Sequence, residues 1–306
     1  MISERAIPGK LRRAALSRMY LISMLAVAGY IFAYTASKGS FGSGFGGFPS
    51  GLELPINEPI DTIFDWSGDH LSWLFDPLSA TVDAVLSTFE RFLLWVPWTV
   101  VVGSTGLLAL KISGRPMAAF CIGSLMLIGV LGLWDSAMIT LSLMGLSVLL
   151  AVAIGVPLGV TGALSDRFEA LLRPVLDTMQ VLPPFVYLMP ALFFFGVNGA
   201  VSVFLTVVYA VPPAIRLTNL GIRQVPREIV DTAQSHGSSP LQTLFQVQLP
   251  LAKPSIMMGI NQTIMMALAM VIITALVGSN GLGRDVWTAL RRIDSGSGLE
   301  AGLAIV

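Results

Sequence analysis

Apolar residues in this chain gather into long runs instead of alternating with polar ones. Such runs fall at residues 19–36, 92–110, 116–134, 137–164, 179–196, 199–217 and 255–278, and an eighth begins at Leu299 and reaches Val306. A helix needs about 20 apolar residues to cross a bilayer. Lipid offers no hydrogen bonds to an open backbone, so runs of this length are helices, whereas a β-barrel shows short alternating segments. The pattern predicts an all-α integral membrane protein, a polytopic bundle of seven or eight transmembrane helices.

Composition agrees. The chain is 54% hydrophobic with 12% charged residues, and its mean hydropathy is +0.78; soluble domains carry about 25% charged residues. Net charge is zero, but its distribution is not even. With a cytoplasmic N-terminus and alternating loops, 13 basic residues fall inside, from Arg5 to Lys253, and 5 fall outside: Lys38, Arg91, Arg284, Arg291 and Arg292. That asymmetry follows the positive-inside rule. A basic start before an apolar run also describes a signal peptide, but Ala33-Tyr34-Thr35-Ala36 is not a small-residue cleavage site. The expected order is a basic cytoplasmic segment 1–18, a retained anchor helix 19–36, an extracytoplasmic segment 37–91, and a membrane core 92–306 with a cytoplasmic loop at 225–250.

Several local patterns carry little chemistry. Residues 39–51 are a Gly/Ser/Phe linker by composition, and the spacing of Gly42, Gly44 and Gly47 follows a membrane helix and precedes Pro49, which is no context for a dinucleotide site. Cys121 stands alone inside an apolar run, and His70 and His236 lie far apart, so no disulfide or metal spacing is visible. Segment 53–90 is acidic. Within it Leu78, Val82, Val85, Leu86 and Phe89 follow a helical rhythm, with Trp66, Trp73, Trp95 and Trp98 nearby, which suits a helix on the outer membrane surface.

Inside the core, Gly155-Val156-Pro157-Leu158-Gly159 invites close helix packing with a kink, and Pro183-Pro184 and Pro212-Pro213 break or bound later spans. The runs 137–164, 179–196, 199–215 and 255–278 contain no Asp, Glu, Lys, Arg or His. Ion-coupled transporters place such groups at membrane depth, so an outside energy source is expected. No G-x-x-x-x-G-K-[ST] loop is present to cradle ATP, and no nucleophile, base and acid come together as in an enzyme. Polar Asn261, Gln262 and Thr263 within an apolar run, with Met265 beside them, are candidate pathway residues, as are Gln180 and Tyr187 flanking Pro183 and Pro184.

The most informative stretch is the loop 225–250. Pro226 suits a first helical position, Glu228 and Asp231 favour the helix dipole, and Ile229 and Ala233 share a face. Gly237 supplies a left-handed stop. A second helix follows, with Ser239 as cap, Pro240 in the first turn, Gln242 completing a capping box, and Leu241, Leu244 and Phe245 as an apolar face that Pro250 terminates. Two short helices meeting at a glycine form a cytoplasmic knob, a handle for a soluble motor. A single basic residue, Arg227, between 226 and 250 is too little charge for nucleic acid.

This loop resembles the EAA loop of bacterial ABC importer permeases, with Glu228 as the acid, Ala233 in the alanine stretch, Gly237 as the glycine and Leu249-Pro250 as the close; Val230 and Asp231 stand where small residues are usual. Residues 177–190, 211–218 and 259–266 extend the resemblance to permeases of glycine betaine/proline betaine importers, over about 60–306. The resemblance implies a type I importer permease in a bacterial inner membrane. It implies a homodimer served by two ATPase subunits, which hold the ATP and Mg, and by an extracytoplasmic binding protein. This chain itself would bind no cofactor. Glu228, Asp231, Ala233, Gly237, Leu241, Phe245 and Pro250 would form the ATPase-coupling loop. Carried solutes in such a family include glycine betaine, choline and trimethylamine N-oxide. An amino-acid permease of the same architecture and an ion-coupled secondary transporter are the alternatives. Family members continue past the point matching Val306, so the resemblance also implies a last helix cut short.

Overall fold

The computed structural model describes residues 24–29 and 57–306, which fall into two units, 1–63 and 64–306. In the first, residues 24–29 are helical; the rest of the expected anchor at 19–36 and the linker at 39–51 lie outside the described residues. Every regular element from residue 57 onward is a helix: α1 Asn57–Trp95, α2 Trp98–Ser113, α3 Arg115–Val130, α4 Trp134–Leu164, α5 Asp166–Val181, α6 Pro184–Phe195, α7 Gly199–Arg223, α8 Arg227–Ser235, α9 Pro240–Thr243, α10 Leu249–Ala275, α11 Leu282–Arg292 and α12 Ser295–Ile305.

Three stretches are long and apolar enough to cross a bilayer: α4, α7, and the run from α9 through α10. Up to five spans result if α1 with α2, bent by 94°, and α5 with α6, bent by 103°, each count as one. The bends sit at Pro97 and at Pro183-Pro184, where a ring that lacks an N–H cannot continue the preceding helix. The runs expected as full spans at 92–110 and 116–134 are 16-residue helices, α2 and α3. The amphipathic segment at 78–89 belongs to the much longer α1, which buries Leu86 against α4 and α7 and leaves Leu78 and Val85 exposed.

Helix α7 is the hub. It packs along α4 on one side and α10 on the other, and its apolar window is 67% buried. Small residues make this possible. A Cβ at Gly155 would lie 2.7 Å from the Ala214 Cβ, and one at Gly159 would lie 2.6 Å from the Ile215 carbonyl oxygen. Gly259 of α10 meets Pro213 and Ala214 from the other side. Lipid tails are as apolar as leucine, so membrane helices gain little from hiding apolar surface and depend on such close fits. The Gly155–Gly159 spacing therefore works as its pattern suggests.

Two polar ties fix the remaining helices. Asn198 caps α7 by accepting from the Val201 N–H and donates to the Ser79 hydroxyl at 2.9 Å, while Asp83 accepts from the Gly199 N–H at 3.1 Å. These bonds hold α1 against the α6–α7 turn, beside a stack of Phe75 on Phe194 at 4.5 Å. On α4, the Thr140 hydroxyl donates to the Ser136 carbonyl and accepts from the Leu282 N–H at 2.8 Å, anchoring the start of α11.

Substituting Gly159→Val is expected to destabilise the packed α4–α7 pair by about 1–3 kcal/mol, read as a lowered unfolding midpoint of the purified protein in detergent. Gly123→Ala, whose added Cβ meets nothing within 4 Å, is expected to hold or raise the midpoint.

Candidate coupling site

The loop between α7 and α10 forms a knob. Helix α8 starts after Pro226, which stands at its N-cap, one position before the first helical turn expected for it. The helix ends where Gly237 takes φ +87°, and the Ser238 N–H donates to the Ala233 carbonyl at 3.2 Å. Only glycine adopts that left-handed conformation without strain. The capping box is complete: the Gln242 N–H donates to Ser239 Oγ at 3.3 Å, and the Ser239 N–H donates to Gln242 Oε1 at 2.8 Å.

The second helix does not end at Pro250. After α9 the chain widens into a π-helical turn, Leu244–Gln248, and continues unbroken into α10. A proline ring clashes with the carbonyl four residues earlier and has no N–H to give. In the wider turn the Leu249 N–H reaches back five residues to the Leu244 carbonyl, so the helix passes Pro250 without a stop. The knob is thereby joined directly to a membrane-spanning helix.

Its apolar residues divide. Leu244 is buried with Ile222 and Ala252, rooting the knob in the bundle. Leu241 and Phe245, at 65% and 64% exposure, point outward with Ile229 at 42%. Glu228 and Asp231 are exposed, and Ala233 is half-buried. The expected shared face of Leu241, Leu244 and Phe245 is therefore split between an inward root and an outward apolar tip.

The pathway candidates fall into two places. Met258, Asn261, Gln262 and Met265 share one exposed stripe of α10, opposite the face where Gly259, Thr263 and Ala267 are buried. Gln180 and Pro183 are exposed at the α5–α6 break, with Pro184 half-buried. Tyr187 is half-buried and packs on the cluster of Ala191, Phe195 and Met270. Its hydroxyl donates to the Met179 carbonyl at 2.6 Å, spanning the break. Tyr187 thus joins the protein interior and not the Asn261 stripe. The break has a feature the sequence reading lacked, a tyrosine tie eight residues back along the chain.

The bundle thus projects an apolar-tipped knob directly from a helix long and apolar enough to span a membrane. Residues 155–306 match the family described as binding-protein-dependent transport system inner membrane component. The permease protein ProW of the Escherichia coli (strain K12) glycine betaine/proline betaine transport system is 41% identical over 253 residues, covering 83% of this chain and 72% of ProW. The Bacillus subtilis (strain 168) glycine betaine transport system permease protein OpuAB is 40% identical over 253 residues, covering 83% of this chain and 90% of OpuAB. Among solved structures, the inward-facing MetNI methionine ABC transporter aligns at TM-score 0.49 and 17% identity, over 54% of this chain and 83% of that one. The chain belongs to this permease family: it is a multi-pass inner-membrane component of a binding-protein-dependent ABC importer.

Ser239→Ala removes one side of the capping box and is expected to cost the knob about 1 kcal/mol. Amide hydrogen exchange over residues 240–248 then rises about fivefold, by the same free energy.

Proposed function

We propose that this chain is the permease of an ATP-driven importer for glycine betaine or a related quaternary-ammonium osmolyte, working by alternating access. The observation that carries the substrate class is the identity, over most of the chain, to permeases named for glycine betaine transport. Two copies of the chain pair with two ATPase subunits, which bind the ATP and Mg, and a separate extracytoplasmic protein delivers the solute. The N-terminus is cytoplasmic, as the excess of basic residues on that side argues.

In this reading the outward Leu241 and Phe245 seat in the ATPase together with the exposed Glu228 and Asp231, and Gly237 holds the two short helices at a fixed angle. Movement of the ATPase dimer then passes through the π-helical turn into α10. Asn261, Gln262 and Met265 on its uncovered stripe face the pathway, and Gln180, Pro183, Pro184 and Tyr187, at the separate α5–α6 break, form a hinge for it. The solute is chosen chiefly by the binding protein.

The reading is tested in liposomes holding the chain with its ATPase, with the binding protein and one of glycine betaine, choline, trimethylamine N-oxide or proline added. ATP hydrolysis stimulated by one quaternary or N-oxide osmolyte is the expected result. Stimulation by proline alone moves the assignment to an amino-acid permease, and solute movement with no ATPase present replaces it with a secondary transporter.

Gly237→Val forces a β-branched residue to φ +87°, at a cost of about 1–3 kcal/mol. In assembled complexes it is expected to lower solute moved per ATP hydrolysed. Unchanged coupling in that variant sinks the role given to this glycine.

A further inference from the structure

Three helix ends meet at Arg223, in the last turn of α7. Its Nη1 lies 2.7 Å from Asp166 Oδ1, and its Nη2 lies 3.1 Å from Glu169 Oε2, both in the first turn of α5. The same Nη2 donates to the Gly162 carbonyl at 2.9 Å, in the last turn of α4, and Nε donates to Asn219 Oδ1 at 2.9 Å. Each partner is favoured where it stands. A cation complements the negative ends of α4 and α7, two carboxylates complement the positive end of α5, and the last carbonyls of a helix lack partners of their own. Glu169 is held further by Arg173 at 3.0 Å.

A second tie lies farther along the same pair of helices. Arg216 Nη2 is 2.5 Å from Asp177 Oδ1. At 1.5 Å per residue, Glu169 to Asp177 spans about 12 Å of α5 and Arg216 to Arg223 spans about 10.5 Å of α7. The spacings match in opposite directions, so α5 runs antiparallel to α7 and is stapled at two points. On α5, Leu172 and Leu176 lie between the staples, and Leu176 is buried with Ile215, Val211 and Ala151, so the apolar seam continues past the Arg216 tie. Isolated exposed ion pairs are weak. A forked arginine with four partners, backed by an apolar seam and a second ion pair in register, fixes both spacing and register.

The ends of this stapled unit lie at the two places where motion matters. Four residues after Arg223 the knob helix α8 begins at Arg227, with Val225 buried between them. Three residues after Asp177 comes Gln180, and the Pro183-Pro184 break follows. We propose that α5, clamped to α7 by Arg223 with Asp166 and Glu169 and by Arg216 with Asp177, is a lever that carries displacement of the knob to the α5–α6 break. Arg223, Arg216 and Asp177 are then positioning residues for transport. The lever's purpose rests on the permease reading above, but the clamp itself does not.

Two readouts separate them. In the purified chain, Arg223→Gln and Arg216→Gln are expected to raise amide hydrogen exchange across 166–181 by about tenfold, and the exchanged pair Asp177→Arg with Arg216→Asp keeps the protection that Arg216→Gln loses. In liposomes with the ATPase and binding protein, the same single variants are expected to move about fivefold less solute per ATP hydrolysed, and the exchanged pair keeps the ratio that Arg216→Gln lowers. Arg223→Lys keeps the charge without the fork and takes both measurements if Arg223→Gln does not accumulate. Unchanged exchange overturns the clamp. Raised exchange with an unchanged solute-to-ATP ratio overturns the lever. If the unmodified chain neither binds the ATPase nor transports while the exchange result holds, the clamp stands and the permease reading falls.

Discussion

Close approach of helix backbones in a solvent that does not push them together is the constraint on which the other features rest. Gly155 and Gly159 let α4 lie against Ala214, Ile215 and Thr218 of α7, and Gly259 lets α10 lie against Pro213 and Ala214 from the other side. With both neighbours at contact distance, α7 cannot shift alone, and whatever moves one of its ends is felt along its length. Interiors packed this tightly switch between discrete arrangements and do not deform smoothly. That property suits a subunit that must respond to a partner bound at one edge.

In the proposed function the knob supplies that edge. Its stiffness comes from cheap local devices: a glycine at positive φ, a two-sided capping box and a π-helical turn. Its root, Leu244, is shared with Ile222 of α7 and Ala252 of α10, so the knob is an extension of the packed core and not a hanging loop. The Arg223 staple then adds α5 to the same mechanical unit, and the Tyr187 bond to Met179 closes the break at its far end. Each link is short-range chemistry; together they form a continuous path from the tip of the knob to the α5–α6 break.

What was legible in the sequence is what is local. Gly237, Ser239 and Gln242 announce their roles by spacing alone, because caps and stops involve residues three or four apart. The close-packing glycines are equally local in pattern, though the partner helix is not. Direction of burial was not legible: Leu241, Leu244 and Phe245 follow one helical rhythm, and only the presence of Ile222 and Ala252 beneath them decides that Leu244 turns inward. Pro250 reads as a stop because the wider turn that accommodates it depends on five residues jointly leaving the usual helix pairing. The Arg216–Asp177 tie, 39 residues apart in sequence, leaves no trace in periodicity. The bend at Pro97 is equally hidden, because the apolar run 92–110 looks continuous there although the helix axis turns, whereas Pro183-Pro184 announces its break by sequence.

The central claim is that the outward tip of the knob is where the ATPase grips this chain. The most direct measurement is short-range thiol cross-linking in native membranes, with Phe245→Cys in a Cys121→Ser background and single cysteines placed on the ATPase. Phe245 is 64% exposed, and so is open to the reagent. A cross-linked permease–ATPase species from Phe245→Cys, absent from Leu290→Cys on the exposed face of α11, is the result expected. Cross-linking from Leu290→Cys with none from Phe245→Cys would contradict it, and would move the site of energy input away from the knob.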